Sequence, residues 1–536
     1  MRKKRILLCG EYSGINSGYS NWSRNLLEGL AATEKYELAE LASFCTVEEL
    51  AVKRSKWRIY PNSVAMSDPR YKAYKANINN QFGQWRFEAV CLDFKPDIVI
   101  DFRDPWMFEY QSFSSLRKYF KWVIMPPVDS APQKNEWITI FNNADLVVPY
   151  TNWAKQCLSK FSHLKVFEKI SPAGVDTQTF TKKIVNRKDF GLPETGFVVG
   201  SVMRNQKRKL IPSLFELIKN IDDGILYLHT TYPELHGWDI PALLLEFGIS
   251  NRVYFTYKCR ACKKHYASNY MGSSCVCKYC SQPTSMFSTT SNGLTNGELS
   301  HIYSLFDIYL QYAVCEGFGM PQIEASSCEI PVFSVDYSAM SEVVENVGGF
   351  AIPLSNLQYE MESSAKRAYP DIAKTVDLIN NYRSLNTEQQ MVIQKTTRNK
   401  TIEHYLWTDI TNTWVEAIES LDISDKPSWE NKDKYELPNN IKLDYSLNNF
   451  DFIKHICCEV IKEPGLMRTQ MIQHILYSLD HGVSKRGPGT EQYTKRMAAE
   501  NLEKFAEQKA MIDHIRTAVG RIKEDYIDIA HKVANS

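Results

Sequence analysis

The segment Glu316-Gly-Phe-Gly-Met-Pro-Gln-Ile-Glu324 sets two carboxylates eight residues apart around two glycines and a proline. Pro321 suits the first turn of a helix, where its fixed φ fits and its missing N–H is not needed. Glycines just ahead of a helix start let backbone amides come close to a ligand. The exposed N–H groups of such a start attract anions, a diphosphate among them. Gly317, Phe318, Gly319 and Met320 therefore read as a phosphate cradle. Glu324, expected in the first helical turn, could accept hydrogen bonds from ribose hydroxyls. Glu316, just before the loop, could hold a second polyol. An ordinary strand-to-helix turn flanked by surface glutamates has the same composition.

A second cluster puts four cations, Arg204, Lys207, Arg208 and Lys209, into six residues after a predicted strand. A fixed guanidinium and an ammonium there would stabilise negative charge developing on a departing phosphate; a solvated basic turn is the plainer alternative. A third signal is Cys259-Arg-Ala-Cys262 and Cys277-Lys-Tyr-Cys280, two C-x2-C hooks separated by fourteen residues. Two such hooks complete the thiolate tetrahedron of a four-cysteine zinc ribbon. Cys275 is an extra thiol nearby, His265 is an alternative ligand, and reduced thiols without metal are the competing reading. Five of the 13 cysteines fall between Cys259 and Cys280, clustering that favours metal over a disulfide framework.

Along the chain, short apolar runs alternate with helical patterns. Arg5–Cys9, Asp97–Ile100, Trp122–Met125 and Asp145–Val148 read as buried strands, and Trp22, Leu26, Leu27 and Leu30 share one face of a first helix. The pattern restarts at Phe197–Ser201 and continues through Ile225–Leu228, Val253–Phe255, Ile308–Leu310 and Pro331–Ser334. Strands separated by helices imply crossovers and parallel sheets, so the fold class is α/β with two Rossmann-like domains, assigned to residues 1–190 and 191–400. Residues 258–296 interrupt the second as an inserted ribbon module. The tail, 425–536, is expected to be a helical extension, with Leu502, Phe505, Met511, Ile512, Ile515 and Val519 at helical spacing.

The totals agree with a globular enzyme-sized chain. At 536 residues, three to four domains are expected, and 44% hydrophobic with 23% charged residues excludes disorder. A net charge of +1 excludes a surface that is wholly basic, though not a local basic groove. No run approaches the ~18 apolar residues of a membrane span. The apolar stretch after Met1–Arg5 stops at Gly10, too short for a signal peptide, so a cytoplasmic location is expected.

Glu316 and Glu324, with Ala325–Cys328 and Pro331–Ser334 behind them, resemble the E-x7-E signature of GT-B fold retaining glycosyltransferases (glycosyl transferases group 1). The likeness extends to Ser171-Pro-Ala-Gly-Val-Asp-Thr-Gln-Thr-Phe180, similar to the family's inter-domain G-V-D…F element, and to Arg204 and Lys209, which match its diphosphate-gripping pair. Glu342 with Val343 and Val344 matches a short acidic helix start, and Ser17-Gly18 lies where the family has a Gly-Gly loop. The resemblance runs over residues 5–421 apart from the insertion, with the motifs in the family's order. It implies two Rossmann-like domains facing a cleft, a closing helix at 401–424, and a nucleotide-sugar donor bound by Gly18, Arg204, Lys209, Glu316–Met320 and Glu324.

It further implies front-face transfer with retention and no catalytic divalent metal. Asp129, in Pro126-Pro-Val-Asp-Ser130, falls where family members carry a polar residue beside the reacting carbon; a turn-forming aspartate after two prolines is the alternative. Asp101, Arg103 and Asp104 are further acceptor-side candidates because ligands collect at the carboxyl ends of strands. The opening Gly10–Tyr19 and the embedded ribbon are similar to glycosyltransferases encoded by tailed bacteriophages. That likeness implies a hydroxymethylated base in phage DNA as acceptor and the host cytoplasm as location. A saccharide or protein acceptor, a GT-B epimerase, a non-catalytic zinc-ribbon binding module and the oligomeric state stay open.

Overall fold

The computed structural model describes residues 2–50, 55–68, 71–114, 116–289 and 292–429. Its first sheet holds β1 (Lys4–Glu11), β2 (Tyr36–Ser43), β3 (Arg58–Pro61), β4 (Ile98–Asp101), β5 (Lys121–Ile124) and β6 (Leu146–Val147). All are parallel, in the order β3-β2-β1-β4-β5-β6. A parallel sheet covered on both faces needs continuous apolar runs, and Ile6–Cys9 supplies one, wholly buried. β2 carries Glu40 at its centre, fully buried, and the carboxylate is satisfied by the Ser13 N–H and hydroxyl at 2.7 Å and by Trp57 Nε1 at 3.0 Å.

The second sheet contains β7 (Phe197–Val202), β8 (Gly224–His229), β9 (Val253–Cys259), three short ribbon strands β10 (His265–Ser268), β11 (Ser274–Cys275) and β12 (Ser285–Phe287), then β13 (Ile308–Gln311), β14 (Val332–Val335) and β15 (Phe350–Ile352). Its parallel part follows β9-β8-β7-β13-β14-β15. Both sheets thus share one winding, reversing between β1 and β4 in the first and between β7 and β13 in the second. In doubly wound sheets that reversal opens a crevice at the strand ends, where ligands bind. A separate antiparallel hairpin, β16 (Leu354–Tyr359) with β17 (Lys366–Pro370), follows.

Residues 64–95 and 110–120, with 423–429 among the described residues, cluster as a compact unit of their own. Inside it the Phe87 and Phe120 rings meet at 5.9 Å, and Tyr119 stacks on Trp429 at 4.8 Å. These aromatic contacts draw together segments that flank β4 in sequence, so the stretch 1–190 is not one unbroken compact body. The tail expected to be helical lies, beyond residue 429, outside the described residues.

The helix Trp407–Glu419 returns to the first domain and packs on the helix Gly18–Ala32. The Trp22 and Trp414 rings meet edge-on at 5.5 Å, and Lys4 Nζ pairs with Glu419 at 2.7 Å. Gly29 sits at the crossing, where a Cβ would come within 2.9 Å of Thr411 Cγ2 and closer still to its hydroxyl. On an exposed helix, Gly→Ala gains roughly 1 kcal/mol. Here overpacking, at ~1–3 kcal/mol, is expected to win, so Gly29→Ala should lower the thermal unfolding midpoint. Adding Thr411→Ala should recover most of the loss; a stabilised single variant would refute the close crossing.

Candidate functional site

The loops after β7 and β13 flank the second switch point. The β13 loop ends at Gly319, whose φ of +88° lies in the left-handed region, and a Cβ there would fall 2.5 Å from Gln322 Nε2. Glycine thus lets the chain turn into the helix Met320–Ser327, and Pro321 occupies its first turn. Glu316, 5% exposed, is the hub. Its carboxylate pairs with Lys209 Nζ, with Arg208 Nη1 at 2.6 Å, and accepts from Gln311 Nε2 at 2.9 Å. Its backbone is tied to Ser338, whose hydroxyl donates to the Glu316 carbonyl at 3.1 Å. Both Glu316 oxygens are therefore occupied by cations, and the residue organises positive charge instead of standing free for a polyol.

Of the pair Arg204 and Lys209 read from the sequence, Lys209 meets Glu316, and the second cation is Arg208. Arg204 does not touch Glu316: its side chain is 60% exposed and pairs with Glu234 at 3.1 Å, while its charge acts on Glu11 beside the Ser17 N-cap. Arg208 takes the inner position and also donates to the Cys315 carbonyl at 3.1 Å. The loop between them is turned by Asn205, which bonds both Trp238 backbone groups at 2.8–2.9 Å. Trp238 Nε1 in turn donates to the Lys209 carbonyl at 2.7 Å. Burial and the Arg208 charge push the Lys209 ammonium down, while the touching Glu316 carboxylate opposes that pull. Glu324 is the fifth residue of its helix, so it stands beyond the first turn. It is buried, accepts from the Tyr303 hydroxyl at 2.7 Å, and burial pushes its carboxyl up to about 7.

The first domain brings its own loops to this place. Gly18 opens the helix Gly18–Ala32 behind the N-cap Ser17, whose hydroxyl accepts from Ser20 N–H at 3.0 Å. The nearest atom a Gly18 Cβ would meet is Met320 Sδ at 4.0 Å. Two helix starts, each carrying partial positive charge, therefore lie close together. Tyr19 donates to Asp104 at 3.2 Å, and burial, with the Asp129 charge second, raises the Asp104 carboxyl to about 6. Asp129 accepts from Ser130 Oγ at 2.8 Å, from the Cys315 thiol at 3.1 Å and from Arg367 Nη1 at 3.2 Å. A Cβ on Gly317 would strike Pro127 Cβ at 2.8 Å, so the two loops touch where only glycine fits.

Asp101 and Arg103 do not face a ligand. They form a fully buried pair, Arg103 Nε to Asp101 Oδ1 at 2.8 Å, and Arg103 Nη1 reaches Ser43 Oγ at 3.2 Å, bracing β4 against β2. Phe318 is filler between domains, stacked on Tyr150 at 5.0 Å. Glu342 accepts from Asn152 Nδ2 and from Trp153 N–H, both at 3.1 Å, and so caps the first turn of the helix Asn152–Leu158. The structure thus gathers Gly18, Asp129, Lys209, Glu316, Gly317, Gly319 and Met320, with Arg204 exposed on Glu234 and Phe318 in the packing. Arg208 had its signal in the cation cluster; Gln311, Tyr303 and Arg367 belong to no motif.

The four cysteines meet as a second candidate centre. The Sγ atoms of Cys259, Cys262, Cys277 and Cys280 all lie within 4.8 Å of one another. The Cys259–Cys280 and Cys262–Cys277 separations are 3.6 and 3.8 Å, against about 3.8 Å for the edge of a tetrahedron with 2.3 Å zinc–sulfur bonds. Each hook turns through a left-handed residue, Lys263 at φ +63° and Ser281 at φ +57°. Burial would raise the Cys259 thiol, but hydrogen bonds from Thr284 and the backbone outweigh it and bring it down to about 6. Cys275 stands apart beside Tyr266, and His265 faces Glu298 at 3.5 Å. The ribbon extends β9 and packs on the inter-domain linker, where Tyr279 donates to the Asp189 carbonyl at 3.1 Å.

Residues 290–360, which hold the Glu316 loop and its helix, match the family described as Glycosyl transferases group 1. Over 128 residues the chain is 27% identical to the UDP-N-acetylglucosamine--peptide N-acetylglucosaminyltransferase GtfA subunit of Streptococcus pneumoniae serotype 4. That match covers 24% of this chain and 23% of the relative, so the chain spans about a quarter of the length of the curated relative it matches. Sucrose-phosphate synthase from Thermosynechococcus elongatus is similar in structure, with a TM-score of 0.57 at 17% identity over 78% of this chain and 99% of that one. The Anabaena protein Alr3699/HepE, in complex with UDP and glucose, gives 0.55 at 13% identity over 78% and 100%. Residues 290–360 are thus similar to the glycosyl transferases group 1 family, and the chain as a whole has a GT-B-like α/β fold of parallel sheets.

Proposed function

We propose that this chain is a glycosyltransferase that moves a sugar from a nucleotide-sugar donor to an acceptor hydroxyl. The observation that carries the reading is the Glu316 hub, which fixes Lys209 and Arg208 beside one helix start with a second helix start opposite. As the bond between the sugar and the diphosphate breaks, negative charge gathers on the β-phosphate. Cations and backbone dipoles already in place stabilise that charge without reorganising. Lys209 and the N–H groups at the start of the helix Met320–Ser327 would take the diphosphate, and Glu324 would accept from ribose hydroxyls. Asp129 and Asp104 would face the acceptor side. We infer retention by front-face displacement, the departing phosphate taking the acceptor hydroxyl's proton. Arg204, exposed and paired with Glu234, would reach the donor from the solvent side.

The relatives favour a UDP-sugar, since one is named for UDP-N-acetylglucosamine and another binds UDP and glucose. A polypeptide acceptor has the support of the peptide-modifying relative. A hydroxymethylated base in phage DNA rests on the likeness of the opening loop and ribbon to phage enzymes. For the four cysteines we propose one structural zinc, held by Cys259, Cys262, Cys277 and Cys280, whose spacing suits tetrahedral thiolates. Bound there, the metal would staple the β9 extension against the linker.

Three measurements check these readings. In an assay of donor consumption with UDP-, GDP- and ADP-sugars, with and without peptide or DNA acceptors, Lys209→Ala should reduce turnover about 10²–10³-fold. Wild-type turnover in a folded Lys209→Ala protein would contradict the proposal. Because burial holds Glu324 near 7 and ribose recognition uses its ionised form, donor affinity should climb as pH rises through about 7 and level off above. In Glu324→Gln the pH step should vanish; calorimetric titrations at about pH 6 and about pH 8 decide, and a flat wild type would refute the role. Elemental analysis should find about one zinc per chain, lost in Cys277→Ser; a metal-free protein of unchanged stability would remove the zinc assignment.

A further inference from the structure

The hairpin β16–β17 lies at the limit of the family match, which ends at residue 360, before the return strand begins at Lys366. This return strand crosses to the first domain: Lys366 N–H donates to the Ala131 carbonyl at 2.9 Å, and the Tyr337 hydroxyl donates to the Lys366 carbonyl at 2.7 Å. Arg367 follows, with its side chain 13% exposed. One edge of its guanidinium is preset within the hairpin, Nε and Nη2 meeting Glu360 Oε2 at 2.9 and 2.7 Å, and Glu360 is itself held by Ser363 Oγ at 2.8 Å. The remaining Nη1 reaches Asp129 Oδ1 at 3.2 Å and contacts the Cys315 sulfur. The Cys315 thiol closes the ring by donating to Asp129 Oδ2 at 3.1 Å. Both carboxylate oxygens of Asp129 are therefore directed, one by a forked cation and one by the residue before Glu316.

We infer that Arg367 is a positioning residue for the acceptor side of the site, fixing the direction in which the Asp129 carboxylate faces the Glu316 loop. The inference rests on the glycosyltransferase reading and adds to it a residue outside the family-matched segment. A planar guanidinium can serve Glu360 and Asp129 at once, whereas an ammonium offers a point charge without that fork. Small misplacements at a reacting centre are costly in rate, about 10²-fold for 1 Å. An Arg367 that mattered only for stability would leave the turnover of the folded variant unchanged.

The test uses the full chain as wild type, Arg367→Met, Arg367→Lys, Asp129→Asn and the Arg367→Met/Asp129→Asn double variant. The first readout is thermal unfolding. If Arg367 acts through Asp129, the loss in the double variant falls well short of the sum of the two single losses, because contacting residues couple; additive losses overturn the inference. The second readout is hydrolysis of a UDP-sugar with water as acceptor. Arg367→Met should lower kcat about 10–100-fold while donor KM stays within about twofold, and the double variant should be no slower than Asp129→Asn. Arg367→Lys should restore only part of the rate. Unchanged kcat in Arg367→Met, or a donor KM that moves with kcat, overturns the inference. A wild-type chain that neither binds nor hydrolyses any donor would instead sink the glycosyltransferase reading, and the unfolding cycle would still decide whether the two residues act as a pair.

Discussion

A carboxylate taken out of water must be paired, and Glu316 is paired with two cations and an amide at the junction of β13 and the following helix. Such a buried cluster is weak ground for stability, since the desolvation of each charge offsets much of the attraction. Its value here is positional. Lys and Arg side chains carry many rotamers, and the shared carboxylate removes that freedom before any ligand arrives. The cluster stands at the reversal of the sheet winding, where strand ends diverge and leave room for a ligand. Gly319 and Pro321 then turn the chain into a helix that starts four residues after Glu316.

The first domain completes the arrangement because its loops cannot be moved independently of the second. Gly317 abuts Pro127, Phe318 stacks on Tyr150, and Glu342 accepts from the first turn of the helix Asn152–Leu158. The helix Trp407–Glu419 also lies on Gly18–Ala32 through the Trp22–Trp414 contact. These contacts make the separation of Gly18 and Met320 a property of packing, and the Arg367–Asp129 pair acts within that frame. Asp104 and Asp129 then lie near enough for the Asp129 charge to raise the Asp104 carboxyl.

Much of this was legible in the sequence, and the omissions have physical causes. Runs such as Ile6–Cys9 and Ile308–Leu310 are apolar because parallel strands are covered on both faces, so they could be read directly. The Gly-Pro helix start and the two cysteine hooks are local in sequence, and spacing alone displays them. Which of four neighbouring cations turns inward is not local: it depends on Asn205 meeting Trp238, more than thirty residues away, and so Arg208 and not Arg204 meets Glu316. Asp101 and Arg103 sit at a strand end, as a ligand-facing pair would, yet each neutralises the other inside the protein. Glu324 is expected in the first helical turn, but the helix begins at Met320 and carries it into the second. Arg367 carries no motif at all, since its importance comes from a hairpin that crosses to the other domain.

The most direct test of the central claim is a crystal structure of the full chain with a nucleoside diphosphate, UDP first, at saturating concentration. The account predicts the β-phosphate within hydrogen-bonding distance of Lys209 Nζ and of the first N–H groups of the helix Met320–Ser327, on the side that faces Gly18. A diphosphate bound elsewhere, with the Glu316 hub and the two helix starts left without ligand, would contradict it.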